Sequence, residues 1–416
     1  AQWGAYEDAV LVLKQCTKKY PMLYYYAAYY EEKMGEDEAA KKSLEKAEIC
    51  AFDYCFPNKL DDIAVLTFAI ENGCKKKAPY YLGNLFYDKL QWKKSVELWE
   101  MSKKADDTFS IVHRNLALAY YNKMGDSKAA KRELEKAFSL NRKDARIFLE
   151  LDQLYKKLGY SFKERLAKYD EDPSLAESRD DLYIEYITLM NMCGEYERAY
   201  RCIMGRRFHP WEGGEGKITT QYTISLLEMA KQCLASEKYE QAEKLLKKAL
   251  VYPENLGEGK LEGTKDNHLF YHLGLALEAQ GKHDEAKTCF ETATIGTDEP
   301  AGAMYYNDQP ADMILYQGLA FEKLGKTREA KSRFYRLIDY GEQHLNDEGK
   351  IEYFAVSLPD FLIFDEDYTK KNRAHCCYLM ALGNIGLQNR EKAAEFLNEV
   401  LEIEPSHMMA TLYQKQ

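Results

Sequence analysis

Gly274-Leu-Ala-Leu-Glu-Ala-Gln-Gly281-Lys-His-Asp-Glu-Ala286-Lys-Thr-Cys-Phe-Glu-Thr-Ala293 decides the fold of this chain, because its small residues recur elsewhere at the same separations. From Gly274 to Gly281, Ala286 and Ala293 the steps are seven, five and seven. The same steps join Ala28, Gly35, Ala40 and Ala47, and join Gly318, Gly325 and Ala330 with Leu337 in the last place. Gly125, Ala130, Ala137 and Glu237, Ala242, Ala249 keep the last two steps. A small side chain in mid-helix lets two backbones approach. Glycine in the second place ends that helix, because it tolerates the left-handed conformation of a helix end. Two alanines seven apart then lie on one face of the next helix, two turns apart. A proline five residues further, as Pro21 after Cys16 and Pro405 after Val400, is expected to end the second helix. The reading is a stack of helix pairs, with turns at Gly35, Leu90, Gly125, Gly159, Gly194, Glu237, Gly281, Gly325 and Gln388.

With the Leu82-Gly83 and Leu273-Gly274 pairs, the turn glycines, the paired alanines and the closing prolines, the pattern resembles the tetratricopeptide repeat. That unit is a helix–turn–helix of about 34 residues. The resemblance covers most of the chain. It implies an all-α, right-handed α-solenoid of about nine helix pairs plus a fragment. The pair at Gly159 departs from the pattern: Asp152 holds the small mid-helix place and no alanine pair follows.

Turns at Gly125, Gly159 and Gly194 step by 34 and 35 residues; from Gly194 onward the steps are 43, 44, 44 and 63. Residues 1–204 therefore read as a regular solenoid. Residues 205–416 read as its continuation, with long rim insertions at about 205–220, 252–267, 296–310 and 341–371. Connections of one kind emerge on one edge of a solenoid. Asp61 to Ile70 reads as an additional helix, and Ser406 to Gln416 as one more short one. Gly4, Ala9, Cys16 and Pro21 match only the second helix of a unit, so the sequence is expected to be a fragment of a longer protein.

Composition narrows the function. A net charge of −10 argues against a general nucleic-acid binder, which needs a basic surface for phosphates. No run of eighteen apolar residues occurs, so no membrane span is expected. The N-terminal residues lack the basic-then-apolar pattern of an export signal. None of the ten cysteines makes a Cys-x-x-Cys pair, which reads as reduced thiols in the cytoplasm. Thirty-three tyrosines suit the gaps between stacked helices, where a hydroxyl can reach the wet edge. His268 and His272 share a helix face, but Leu269 stands where a zinc protease needs glutamate, so both read as packing residues. No phosphate loop, dinucleotide fingerprint or nucleophile elbow is present, and no cofactor, metal or catalytic residue is expected.

The candidate binding residues form two sets. Tetratricopeptide families bind in a groove lined by first helices, three before, one after and four after the small residue. The resemblance places Tyr25, Tyr29, Glu32, Tyr80, Asn84, Tyr87, Asn115, Asn122, Tyr271 and Glu278 there. Some members clamp a peptide carboxylate with lysine and asparagines; here Tyr80 stands in the lysine place. Tyrosine rings and amide side chains suit an extended peptide backbone. The second set is the insertion of Arg206, Arg207, His209, Trp211, Glu212 and Glu215, whose indole and carboxylates suit a sugar or a partner loop. Its stretch Phe208-His209-Pro210-Trp211-Glu212-Gly213-Gly214-Glu215-Gly216 is similar to a segment of large bacterial proteins with an N-terminal β-rich domain of carbohydrate-processing type. That likeness implies a C-terminal part whose rim docks on another domain of the same chain. The expected function is a non-enzymatic interaction scaffold for a peptide or neighbouring domain. The alternative is an accessory region of a carbohydrate-active enzyme.

Overall fold

Nine residues picked from the sequence as helix-ending turns all take positive φ in the computed structural model, which describes residues 4–211, 213–302, 309–349 and 363–415. Six are glycines, with φ between 66° at Gly125 and 85° at Gly194; Leu90, Glu237 and Gln388 adopt the same conformation at 59°, 57° and 58°. The described residues form 22 α-helices and no strand.

They group into two compact units, Ala1–Leu151 and Asp152–Gln416. The first contains α1 (Tyr6–Gln15), α2 (Pro21–Lys33), α3 (Asp37–Ile49), α4 (Leu60–Glu71), α5 (Lys77–Asp88), α6 (Trp92–Ala105), α7 (Ser110–Met124) and α8 (Ser127–Leu140). The division falls within α9 (Ala145–Lys157). The second unit continues with α10 (Phe162–Asp170), α11 (Pro173–Glu177), α12 (Asp180–Met192), α13 (Tyr196–Met204), α14 (Lys217–Ala235), α15 (Tyr239–Ala249), α16 (Asn267–Ala279), α17 (His283–Ala293), α18 (Met313–Lys323), α19 (Thr327–His344), α20 (Tyr368–Gly386), α21 (Arg390–Ile403) and α22 (Met408–Gln414). The nine turns join α2/α3, α5/α6, α7/α8, α9/α10, α12/α13, α14/α15, α16/α17, α18/α19 and α20/α21. This is an all-α solenoid of helix hairpins.

Six of the nine hairpins close by size matching. A β-carbon on Gly83, Gly274 or Gly318 would lie 2.5, 2.5 and 2.2 Å from Trp99, Phe290 and Phe334, each sixteen residues on. Where the first helix carries alanine instead, the residue sixteen on is leucine: Ala28 and Leu44, Ala230 and Leu246, Ala381 and Leu397, all buried. Burying each such side chain contributes about 1.5–3 kcal/mol. The paired alanines face inward, with Ala130, Ala137, Ala242, Ala249 and Ala293 fully buried and Ala286 at 2 % exposure. In the α5/α6 hairpin, fully buried Ser95 and Ser102 take those two places.

One expectation is corrected. Pro21 opens α2 rather than closing α1, which ends at Gln15. Proline fits the first helical position because its missing N–H has no acceptor there. At the irregular turn, Asp152 does not face a small partner: Arg165, fully buried, donates to it through Nε (2.9 Å) and Nη2 (2.6 Å), and reaches Glu185 at 2.6 Å. A buried ion network replaces the apolar contact.

The second unit closes on itself. Lys157 and Lys371 both pair with Glu366, and Pro405 packs 3.6 Å from where a β-carbon on Gly159 would sit. Each of its insertions joins the second helix of one pair to the first helix of the next. No helix among the described residues is long and apolar enough to cross a membrane.

Candidate functional site

The first helices α5, α7 and α9 of the first unit carry a row of polar side chains. Trp99 Nε1, which can only donate, lies 3.1 Å from Asn84 Oδ1 and 3.3 Å from the Tyr80 carbonyl. Asn115 Nδ2 donates to the same Asn84 oxygen at 3.0 Å. The indole therefore fixes which way the Asn84 amide is turned: its oxygen serves two donors, and its nitrogen is left for other acceptors. Burial pushes the Tyr80 phenol up, and a hydrogen bond from Asn84 opposes that shift. An amide nitrogen has two donors, so this contact leaves one.

The row continues from Asn115 into charge. Arg114 Nη1 donates to Asn115 Oδ1 at 3.3 Å, while its Nε and Nη2 hold Glu150 at 2.7 and 2.5 Å. Arg146 Nε reaches the same carboxylate at 3.1 Å. Glu150 is fully buried and holds two guanidiniums, that of Arg114 beside the two amides and that of the exposed Arg146, whose backbone N–H is accepted by Asp144 at 3.0 Å. Such a surface, rich in donors, suits carbonyl and carboxylate oxygens.

Of the groove residues, Asn84, Tyr87 and Asn115 gather around Trp99; the Tyr87 ring lies 5.3 Å from its indole. Asn122 is half-buried on α7. Tyr29 meets Phe68 of α4 edge-on at 5.5 Å, and Glu32 lies 3.6 Å from Lys33. Tyr25 and Tyr80 are core residues instead of lining residues. Tyr25 is fully buried and donates to Glu48 at 2.6 Å, and Tyr80 is 6 % exposed within the apolar cluster. The Tyr25 ring meets Tyr81 edge-on at 6.1 Å, and the Tyr80 ring meets Phe52 and Phe109 at 6.2 and 5.1 Å. In the second unit Tyr271 packs on Phe290 and Tyr316, and Glu278 pairs with Lys323 at 2.6 Å.

The 205–220 insertion docks on the 252–267 insertion. Phe208 N–H donates to the Asn255 carbonyl at 2.8 Å, and Asn255 Nδ2 donates to the carbonyls of Ile203 and Arg206. Gly216 N–H donates to Glu258 at 2.8 Å. Arg206 pairs with Asp180 and lies 4.6 Å over the Tyr183 ring, while His209 N–H donates to the same aspartate at 2.8 Å. Trp211 packs on Gly214, where a β-carbon would come within 2.2 Å of the indole, and Lys217 lies 5.8 Å from its ring. Arg207 and Glu215 are exposed. Glu212 lies outside the described residues, as do 303–308 and 350–362 of the later insertions. Among the described residues no group of three His, Cys, Asp or Glu side chains could hold a metal ion.

Sequence reasoning missed Arg114, Arg146 and Glu150, which lie off the expected groove register. Trp99 was findable, since it stands sixteen residues after Gly83 as Phe290 does after Gly274. It also missed where α22 docks. Tyr413 of that helix donates to Tyr316 of α18 at 2.8 Å, and Leu412 clusters with Met192 of α12 and Ile224 of α14. A segment of the chain itself thus seats on the first helices α12, α14 and α18.

Tetratricopeptide repeat models match residues 115–144, 268–294 and 374–407, and a second model of that repeat matches 312–340. These matches span the turns at Gly125, Gly281, Gln388 and Gly325. Among solved structures, a tetratricopeptide repeat protein from Parabacteroides merdae is similar at 14 % identity, over 67 % of this chain and 93 % of that one, with a TM-score of 0.31. Naa15/Naa10 bound to HypK-THB is similar at 14 % identity over 97 % of this chain and 57 % of that one, TM-score 0.34. YrrB, described as a TPR protein with an unusual peptide-binding site, is similar at 18 % identity over 62 % of this chain and 100 % of that one, TM-score 0.22. At these values no functional residue is carried over from them.

Proposed function

We infer that this chain, which carries tetratricopeptide repeats, is a protein-interaction scaffold that holds an extended peptide segment of a partner on the first-helix face of its first unit. The observation that supports this reading is the Trp99-fixed amide of Asn84 beside Asn115 and Arg114. Amide donors held in a set orientation lose little freedom on binding, so their hydrogen bonds to peptide carbonyls come at low entropic cost. The Arg114 guanidinium beside the amides favours a segment with an acidic side chain or a carboxylate near them. Half-buried Tyr87 and Asn122 extend the same face along α5 and α7. The 205–220 insertion is hydrogen-bonded to the 252–267 insertion, and its indole is already engaged by Gly214.

The test is selection of peptides on the full chain by display, followed by titration. Two lost hydrogen bonds cost about 1.4 kcal/mol, so Asn84→Ala/Asn115→Ala should weaken selected peptides about tenfold. Trp99 keeps the Tyr80 carbonyl as partner in that variant, which preserves the fold. Peptides that bind the variant as well as the wild type would refute the reading.

A further inference from the structure

The seven residues of α22 make about two turns, too few to be helical in water without docking. Its conformation therefore comes from its seat. Met408 Sδ accepts from Gln221 Nε2 at 3.3 Å, Leu412 enters the slot of Met192 and Ile224, and the Tyr413 hydroxyl bonds Tyr316. Lys415 Nζ donates to the Met192 carbonyl at 2.7 Å. His407 Nδ1 accepts the Ala410 N–H at 3.1 Å and caps the helix. The residues that receive these contacts lie on the first helices α12, α14 and α18, while α20 and α21 hold the other side of α22 through Tyr378, whose ring lies 6.2 Å from that of Tyr413, and Asn398, which accepts from Gln414 at 2.8 Å. A short segment of the chain thus fills this seat.

We propose that α22 is an exchangeable occupant, and that the second unit accepts in its place a partner helix of the same chemistry. That partner carries methionines and a Leu-Tyr pair spaced as Met408, Met409, Leu412 and Tyr413, followed by a cation as Lys415. The seat specifies these groups: an apolar slot, a phenol that accepts a hydroxyl proton, and an α12-terminal carbonyl that takes an ammonium. Methionine contacts on the occupant side repack easily and tolerate exchange. While α22 is seated, apparent affinity for the partner is lowered by the fraction of molecules in which it is released.

The test uses the full chain and a fluorescein-labelled peptide with the sequence of residues 404–415. Leu412→Ser/Tyr413→Ser, which weakens the occupant and leaves the seat, should bind it at least about tenfold tighter than the wild type does. Adding Ile224→Asp to that variant should abolish the gain. A variant with wild-type helix content that binds no better than wild type overturns the proposal, as does binding indifferent to Ile224→Asp. A second readout needs no variant. In the wild type, amides of residues 410–414 should exchange with deuterium at least about tenfold faster than those of residues 382–385 in α20, and equal rates would also overturn it.

Discussion

Gly274→Ala should destabilise the chain although alanine is the better helix former. The added β-carbon would lie 2.5, 2.7 and 2.9 Å from Cε1, Cδ1 and Cζ of Phe290. Carbon atoms rest at about 3.5–4.0 Å, so the ring must retreat by about 1 Å. Phe290 is 3 % exposed, so the ring must shift against its packed neighbours. Overpacking of this kind costs about 1–3 kcal/mol, and removing glycine from a helix interior returns about 0.5–1 kcal/mol. The net expectation is a loss of about 1–2 kcal/mol. Phe290→Leu alone should also cost at least about 1 kcal/mol, through the void it leaves. The double variant recreates the Ala230/Leu246 pairing found one hairpin earlier, so its cost should fall below the sum of the two by about 1–2 kcal/mol. Urea midpoints followed by far-ultraviolet circular dichroism give all three values. If the two costs simply add, to within about 0.5 kcal/mol, size matching across the hairpin is not what sets this packing.

Leu90→Gly, Glu237→Gly and Gln388→Gly should each raise stability by about 0.5–1 kcal/mol in thermal melts, because each side chain now pays for a left-handed backbone. Gly281→Ala should lower it by a similar amount. Arg165→Met should cost about 3–5 kcal/mol by leaving Asp152 buried without its counter-ion, and Asp152→Leu/Arg165→Met should recover most of that in the same denaturation assay. Burial holds the imidazoles of His268 and His272 down to about 3 and that of His407 to about 4, below the ordinary 6.5. The unfolded chain therefore binds more protons between those values. The stability these neutral rings contribute is complete above pH 6.5 and is lost as pH falls toward 4 and then 3, by roughly 2 kcal/mol at pH 5 for His272. His407→Asn keeps a helix cap without a titrating group, so melting temperatures measured from pH 7 to pH 4 should fall less steeply in that variant.

Much of the fold was legible because it rests on local, repeated requirements. Gly35, Gly125 and Gly325 announce a backbone that other residues resist, and Ala242 with Ala249 announces a face that must come close to another helix. The same register located Leu90, Glu237 and Gln388, although their side chains give no sign of a left-handed turn. The α5/α6 pair was harder to see because Ser95 and Ser102, small but polar, stand in for alanine. The site was less legible. The repeat spacing sets Asn84 and Asn115 on neighbouring first helices, where their amides meet at 3.0 Å. Tyr25 and Tyr80 occupy an equivalent register, yet both are buried, Tyr25 against Glu48 and Tyr81 and Tyr80 against Phe52 and Phe109, partners that lie outside the repeat spacing. The Arg165 network and the docking of α22 join residues that no short-range pattern connects: Lys415 meets Met192 across 223 residues.

The face of α5 and α7 is the central claim, and deuterium exchange with a display-selected peptide bound tests it most directly. Protection should appear in residues 80–88 and 112–122 and be absent from α8. Protection confined to α6 and α8, or to the 205–220 insertion, would contradict it.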